Sequence, residues 1–483
     1  MDLIQITKAT VGHMTPEIVL LIGGTLVMCA SVLTSKSARE NIHTQRNNYA
    51  FASLLCLIAA VVARYWYGAP SIAPGDLGLF RFDASALASE RLTFLGGLIL
   101  ILMSWSTAPK GRLAEYYGCL LIILAAIPIV GASNDLVSMF LGLELVSIPT
   151  YILLGIVKTD NSGAEATLKY FLLSAFASCF FLLGVSYLYG FCGSTNLSVI
   201  QASFGEGKRL MALGMLLAIC GLSFRITAVP FHFYAPDVFE GTSVTMAGAM
   251  SYLPKVAGFV ALIRLIGAGT LSSGASSVVI PVLLGCAALT MCVGNLLALA
   301  QNNLRRMMAY SSVAHTGYLL LAFVALIRQD ASPGVMFSYL AAYAAMTLGL
   351  FACLGEIEAA GGKSHLIGDL AGMFQRRPAA SIGLTVALIS LIGLPFTAGF
   401  WAKFMVFVSA VADRRVDSIS MLMGALMAIN AVIAAGYYWR ILSTLYSKSE
   451  SQVPLRVFRP SLFFAYTICT VLTILWFFVP SAM

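Results

Sequence analysis

Runs of about 20 largely apolar residues follow one another from near Glu17 to near Pro480, with only short polar stretches between them. A helix of that length crosses the roughly 30 Å hydrocarbon layer of a bilayer, where every backbone N–H and C=O must find a partner inside the protein. Of the 483 residues 59% are hydrophobic and 10% charged, against about 25% charged in a soluble domain. The chain is therefore expected to be an all-α polytopic membrane protein, with no stretch left over for a soluble domain.

About fourteen spans are expected, near 17–35, 49–67, 92–107, 116–132, 134–157, 165–190, 209–231, 242–267, 277–299, 305–327, 334–356, 379–411, 417–446 and 461–479. Loops after odd-numbered spans carry fourteen Lys and Arg, and loops after even-numbered spans seven. The positive-inside rule then puts the odd loops in the cytoplasm and both termini on the outer, periplasmic side. The first run, Ile18 to Leu33, lacks the basic leader of a secretory signal because Asp2 and Lys8 cancel before it, so it reads as a retained span. No transit peptide is evident either, which favours a bacterial cytoplasmic membrane.

The ten cysteines fall mostly inside apolar runs and never form C-x-x-C, so neither a disulfide framework nor a metal or iron–sulfur site is signalled. No G-x-G-x-x-G or Walker loop occurs, and no nucleotide or redox cofactor is implied for this chain. The net charge of +8 is spread singly and in pairs, which gives no footprint for nucleic acid.

Charges at membrane depth are costly, by about 3 kcal/mol or more, so those present face a bundle interior or a wet cavity. Glu144 stands mid-span in SMFLGLELVSIPTYILLG. Arg225 precedes Pro230 and His232 in GLSFRITAVPFHFYAPDVFEG, and its guanidinium keeps its proton under nearly any condition. It can bias a neighbour such as Glu144 but cannot relay a proton. Lys255 in AMSYLPKVAGFVAL and Lys403 in PFTAGFWAKFMVF are deep amines, a group that desolvation can bring into proton exchange. His315 shares a helical face with Ser311, Ser312 and Tyr318. Lys169 follows Glu165 by one turn, in the order that favours a pair near a cytoplasmic end. The break at Pro230 in the seventh span is echoed by Pro395 in GLPFTAGFWAKF of the twelfth, and paired broken helices point to an ion or substrate path. The broken segments are expected to leave room for water and unpaired backbone. A string of such groups, in place of one cluster, suits proton relay.

FLGLELVSIPTYIL, VPFHFYAPDVFEG, YLPKVAGF, QNNLRRMMAYSSVAHTGY and GLPFTAGFWAKF resemble, in order and spacing, the antiporter-like membrane subunits of complex I, the proton-pumping NADH:quinone oxidoreductase. PFHFYAPDV with PKVAGF is most similar to the subunit N branch. The resemblance implies fourteen helices, with two inverted five-helix repeats whose seventh and twelfth helices are broken. Residues 1–115 would hold helices one to three, 116–267 the first repeat, 268–446 the second and 447–483 the last helix. It also assigns proton-translocating roles to Glu144, Lys255 and Lys403; Lys169, Pro230, His232, His315 and Pro395 are added in support from the reading of the residues themselves. Arg225 stands where the family usually has lysine, so a fixed electrostatic role is implied for it. The chain would carry no cofactor of its own; NADH, FMN, iron–sulfur clusters and quinone would belong to partner subunits. Partners would be the other membrane-arm subunits, including other antiporter-like ones, and the lipid bilayer. Two other readings stay open: a subunit of a multisubunit sodium/proton antiporter, and a non-pumping scaffold in the same complex.

Overall fold

The computed structural model describes residues 10–33, 42–67, 78–109, 111–157, 160–203, 208–267, 276–328, 332–362, 364–411, 418–448 and 458–479. Helices dominate them, with three isolated β-bridges and no longer strand among the described residues. In chain order the helices are α1 Thr15–Leu33, α2 Ile42–Tyr67, α3 Ala84–Thr107, α4 Leu113–Ala132, α5 Leu136–Val157, α6 Asn161–Cys192, α7 Leu197–Ala202, α8 Lys208–Arg225 and α9 Tyr234–Gly241. There follow α10 Val244–Ile266, α11 Ser276–Leu299, α12 Leu304–Ile327, α13 Pro333–Ala359, α14 Met373–Arg376, α15 Pro378–Ile392, α16 Ala398–Val411, α17 Ser418–Tyr446 and α18 Pro460–Phe478. Eleven described helices are individually long and apolar enough to span a bilayer. Setting aside the short α7 and α14, and counting α8 with α9 and α15 with α16 as one broken crossing each, the described helices supply the expected fourteen.

Element ends differ from the sequence reading where polar residues take part in helices. The second helix starts at Ile42, not 49, and the third at Ala84, not 92, because Asp83 caps it by accepting from the Ala86 N–H at 3.0 Å. Arg46 and Arg91 consequently ride on helices and not in loops. The span expected at 379–411 is two helices. Met1 and Met483, whose side of the membrane the sequence reading addresses, lie outside the described residues.

Contacts gather the chain into two units, Met1–Leu222 with Leu253–Gly267, and Ser223–Tyr252 with Ala268–Met483. In the first unit α4 is buried on nearly all sides, as befits a helix apolar all round. Helices α6 and α8 meet along small residues: a Cβ at Gly184 would stand 2.5 Å from the Ala218 nitrogen, and one at Gly221 would stand 2.7 Å from the Ala177 oxygen. Lipid offers no hydrophobic drive between helices, so such close backbone approach supplies the packing instead. Arg264, in the last turn of α10, forks onto Asp83 at 2.7 and 2.8 Å and also donates to the Gly131 carbonyl. One guanidinium thus ties the ends of α3, α4 and α10.

In the second unit α12 and α13 are the buried helices. Asn303 caps α12, accepting from the Arg305 and Arg306 N–H groups, and donates to Glu240 at 2.8 Å. Arg306 bridges Asp237 and Glu240 at 2.8 and 2.9 Å, while Arg305 donates to the Thr242 carbonyl and pairs with Glu358. The segment QNNLRR therefore fastens the far end of α9 to α12 and α13 through charge-assisted bonds.

Candidate functional site

The seventh crossing stops at Arg225 and resumes at Tyr234. Between them Thr227 adopts φ 59, a left-handed conformation that is strained for a β-branched residue. The freed backbone does not stay open. Thr316 of α12 donates to the Ile226 carbonyl at 2.6 Å, and Thr290 of α11 accepts the Val229 N–H at 3.0 Å. Tyr234 donates from its hydroxyl to the Phe224 carbonyl at 3.0 Å. Arg225 and His232 are buried, and His232 Nδ1 is a buried polar atom without a partner. Pro230 and Phe233 lie on the outer surface.

The twelfth crossing breaks in the same style. Helix α15 ends at Ile392, Gly393 turns at φ 89, and Phe396 adopts φ 70 before α16 begins at Ala398. Only glycine takes the first of these without cost. Lys403, one turn into α16 and buried, folds back so that Nζ donates to the Leu391 and Ile392 carbonyls at 2.7 and 2.9 Å. Those are orphan acceptors of a helix C-terminus, where the macrodipole also favours a cation. Ser390 Oγ accepts the Gly399 N–H at 3.0 Å. The expectation of unpaired backbone at the breaks is corrected here: lysine, serine and threonine side chains take the freed groups.

From Lys403 a polar lattice runs through the second unit. Its Nζ stands 5.3 Å from the centre of the Tyr318 ring, a cation–π distance, and that ring lies 5.7 Å from the His315 ring. His315 Nδ1 is 2.7 Å from the Tyr339 hydroxyl, and Nε2 is 3.5 Å from that of Tyr438. Tyr438 bonds Ser311, and Tyr343 donates to Ser312 at 2.9 Å. The Asn295 amide reaches the Tyr318 hydroxyl at 3.2 Å and Asn430 at 3.0 Å, and Tyr437 donates to Asn295 at 3.2 Å. Hydrogen bonds thus gather His315 with Tyr339, Tyr438 and Ser311, and Tyr318 with Asn295, Asn430 and Tyr437, while Lys403 meets Tyr318, and Tyr318 meets His315, through the Tyr318 ring. Of the residues expected beside His315, Ser311 reaches it by way of Tyr438, Tyr318 meets it ring to ring, and Ser312 bonds Tyr343, whose ring lies 5.3 Å from that of His315.

In the first unit Lys255 is only 2% exposed, on α10 directly after Pro254, so it does not snorkel. Glu144 sits partly exposed in the middle of α5, its Oε1 accepting from Ser178 of α6 at 2.7 Å. Lys169 pairs with Glu165 at 2.7 Å, both side chains open to the surroundings. Lys403 and His315 thus lie in one unit, each against the Tyr318 ring, and Arg225 belongs to that unit as well, while Glu144 and Lys255 belong to the other. Tyr339, Tyr343, Tyr437, Tyr438, Asn295 and Asn430 are additions the sequence reading missed. Lone asparagines inside apolar runs, and tyrosines one turn apart in SYLAAYAAMT, are the signals that could have found them. Among the described residues no group of three or more His, Cys, Asp or Glu gathers as for a metal ion.

Residues 133–430 match the family described as NADH:quinone oxidoreductase/Mrp antiporter, TM. The NADH-quinone oxidoreductase subunit N 1 of Solibacter usitatus is 34% identical over 458 residues, which cover 93% of this chain and 90% of the relative. A chain of respiratory complex I from Thermus thermophilus, solved with bound aureothin, superposes with a TM-score of 0.79 at 27% identity, covering 96% of this chain and 97% of that one. A chain of the Mrp complex from Dietzia shares the fold, with a TM-score of 0.77 at 19% identity over 96% and 95% of the two chains.

Proposed function

The chain belongs to the membrane-spanning family of NADH:quinone oxidoreductase and Mrp antiporter subunits, among the subunit N proteins, and on that premise we propose that it moves protons in the membrane arm of a bacterial NADH-quinone oxidoreductase. Redox chemistry, with NADH, FMN, iron–sulfur clusters and quinone, belongs to partner subunits, and this chain takes up the energy as a change of electrostatic field. Glu144 and Arg225 form the input. A change in their spacing alters the field at Lys255, and each pKa unit so moved is worth about 1.4 kcal/mol. Lys255 then passes its proton by way of His315 to Lys403 and so to the outer side, with Arg225 fixed in charge throughout. Spans four to eight and nine to thirteen act as inverted repeats, one amine in each, and both termini face the periplasm. Lys169 with Glu165, and His232 beside the first break, support proton entry.

The observation that carries this reading is the buried lattice from Lys403 through Tyr318 to His315 and its tyrosines. A scaffold has no use for so many buried polar groups, each of which costs stability unless satisfied. Lys255→Ala and Lys403→Ala in the assembled complex should each abolish most NADH-driven proton pumping while leaving assembly intact. Full pumping in either variant would rule out the shared path. The likeness to an Mrp chain keeps the sodium/proton antiporter reading as the competitor. Identification of the proteins that co-purify in mild detergent, with an assay of NADH-driven quinone reduction, separates the two: small hydrophobic companions and no such activity would favour the antiporter.

A further inference from the structure

Away from the lattice, a cleft of about 350 Å³ opens between α2 and α3. Val61, Leu87 and Phe94 form its apolar walls, and Arg64, Glu90 and Arg91 line it with charge. Arg64 is anchored: its Nε and Nη2 bond the Glu90 carboxylate at 2.8 and 2.7 Å, and Nη2 also donates to the His13 carbonyl at 2.8 Å. Its Nη1 is a buried donor with nothing to bond. A buried unmade hydrogen bond is costly, so such a donor marks a place where an acceptor belongs. Arg91, one residue past Glu90, is exposed and forms no ion pair among the described residues. The Glu17 carboxylate also stands 3.8 Å from Arg64 Nη2, behind the cleft, whose own lining holds the Glu90 carboxylate and the two guanidinium groups.

Its setting narrows the choice of acceptor. On the adjoining face of α2, running from the level of the cleft toward the start of the helix, Phe51, Leu55, Ile58 and Val62, about half exposed each, form one continuous apolar strip at helical spacing. Above it come Tyr65, Trp66 and Tyr67, exposed by 90%, 83% and 54%. Consecutive exposed aromatics at a helix end mark the level of the lipid headgroups. A molecule that fits must be anionic at the height of the aromatics and apolar along the strip. Small soluble anions meet only the first condition, and an apolar helix of another subunit meets only the second. We propose that this cleft binds one anionic phospholipid, its phosphate on Arg91 and Arg64 Nη1 and its acyl chains along the α2 strip.

Native mass spectrometry of the full-length chain in nonionic detergent, stripped of lipid and titrated with phosphatidylglycerol or phosphatidylethanolamine, tests this. The wild type should retain one phosphatidylglycerol under activation that removes phosphatidylethanolamine. Arg91→Gln, which removes the unpaired cation, and Val61→Trp, which fills the cleft and keeps both charges, should each weaken that retention about tenfold. Arg91→Lys should keep most of it. Equal retention of the two lipids by the wild type, or unchanged phosphatidylglycerol binding in both Arg91→Gln and Val61→Trp, would overturn the assignment. Release of the lipid by millimolar inorganic phosphate would overturn it too, since the cleft would then be reading a free anion. In the assembled complex, photoreactive phosphatidylglycerol should label the segments around Val61 and Arg91. Labelling confined to other segments would mean that a protein helix covers the cleft, and would equally refute it.

Discussion

Lys403 does two things with one nitrogen, and they can be separated. As a cation it caps the last carbonyls of α15, and in the proposed path its ammonium also releases a proton, which a lysine can do and an arginine cannot. Lys403→Arg should preserve the cap, since guanidinium also donates, yet stop transfer because it does not release its proton. Thermal unfolding in detergent should then change little while pumping is lost. Lys403→Met removes the donor and leaves two carbonyls wanting, at about 1–3 kcal/mol each, so it should unfold at clearly lower temperature as well. Equal stability of the methionine variant and the wild type would show that the cap carries no weight. The lysine itself is legible as a charge within an apolar run. Its partners are not, because they are main-chain groups brought within reach only by the turn from Gly393 to Thr397.

At the level of the element, the two broken crossings are built alike. Each holds a non-glycine residue at positive φ, Thr227 in one and Phe396 in the other, and each exposes a proline and a phenylalanine, Phe233 by 68% and Phe396 by 67%. Proline announces both breaks in the sequence. Thr316 and Thr290, which satisfy the first, give no such signal, because a threonine in a helix can bond its own preceding turn. Both do so, Thr316 to the Ser312 carbonyl at 3.2 Å and Thr290 to the Cys286 carbonyl at 2.5 Å. The second break depends on contact as well as on turn geometry. A Cβ on Gly399 would collide with the Ser390 carbonyl oxygen, a backbone atom that cannot swing aside. Gly399→Ala should therefore drive α16 away from α15, pull Lys403 off its carbonyls, and lower both the unfolding temperature and pumping. The cost should be about 1–3 kcal/mol, as for overpacking. An alanine variant that pumps normally would show that the spacing of the two half-helices is not critical.

For the molecule as a whole, hydropathy makes the crossings legible and motif order makes the family legible, but the contacts that hold the ends of crossings together lie hidden. Asp83 and Arg264 are 181 residues apart, and nothing local marks either as the other's partner. The same distance problem hides Tyr438 from Ser311, 127 residues away, and a tyrosine in a membrane sequence reads first as an interface anchor. The Asp83 pair has a measurable consequence just outside the α3 span. Burial alone would lift the Asp83 carboxyl, but the Arg264 guanidinium beside it and the bonds it donates outweigh burial and hold it below its ordinary 3.8. A carboxyl depressed in the fold adds stability that is fully present above its unfolded value, about 3.9, and drains away as pH falls through the lower folded one. Asp83→Asn removes that contribution and leaves Arg264 with a buried, unbalanced charge, a loss of about 3 kcal/mol. The unfolding temperature of the variant should therefore lie well below that of the wild type at pH 7. As pH is lowered past about 4 the gap between them should narrow, because the unfolded wild-type chain then takes up a proton that the folded aspartate still resists. A gap of constant width from pH 7 down to pH 3 would show that this ion pair is not what joins the end of α10 to the start of α3.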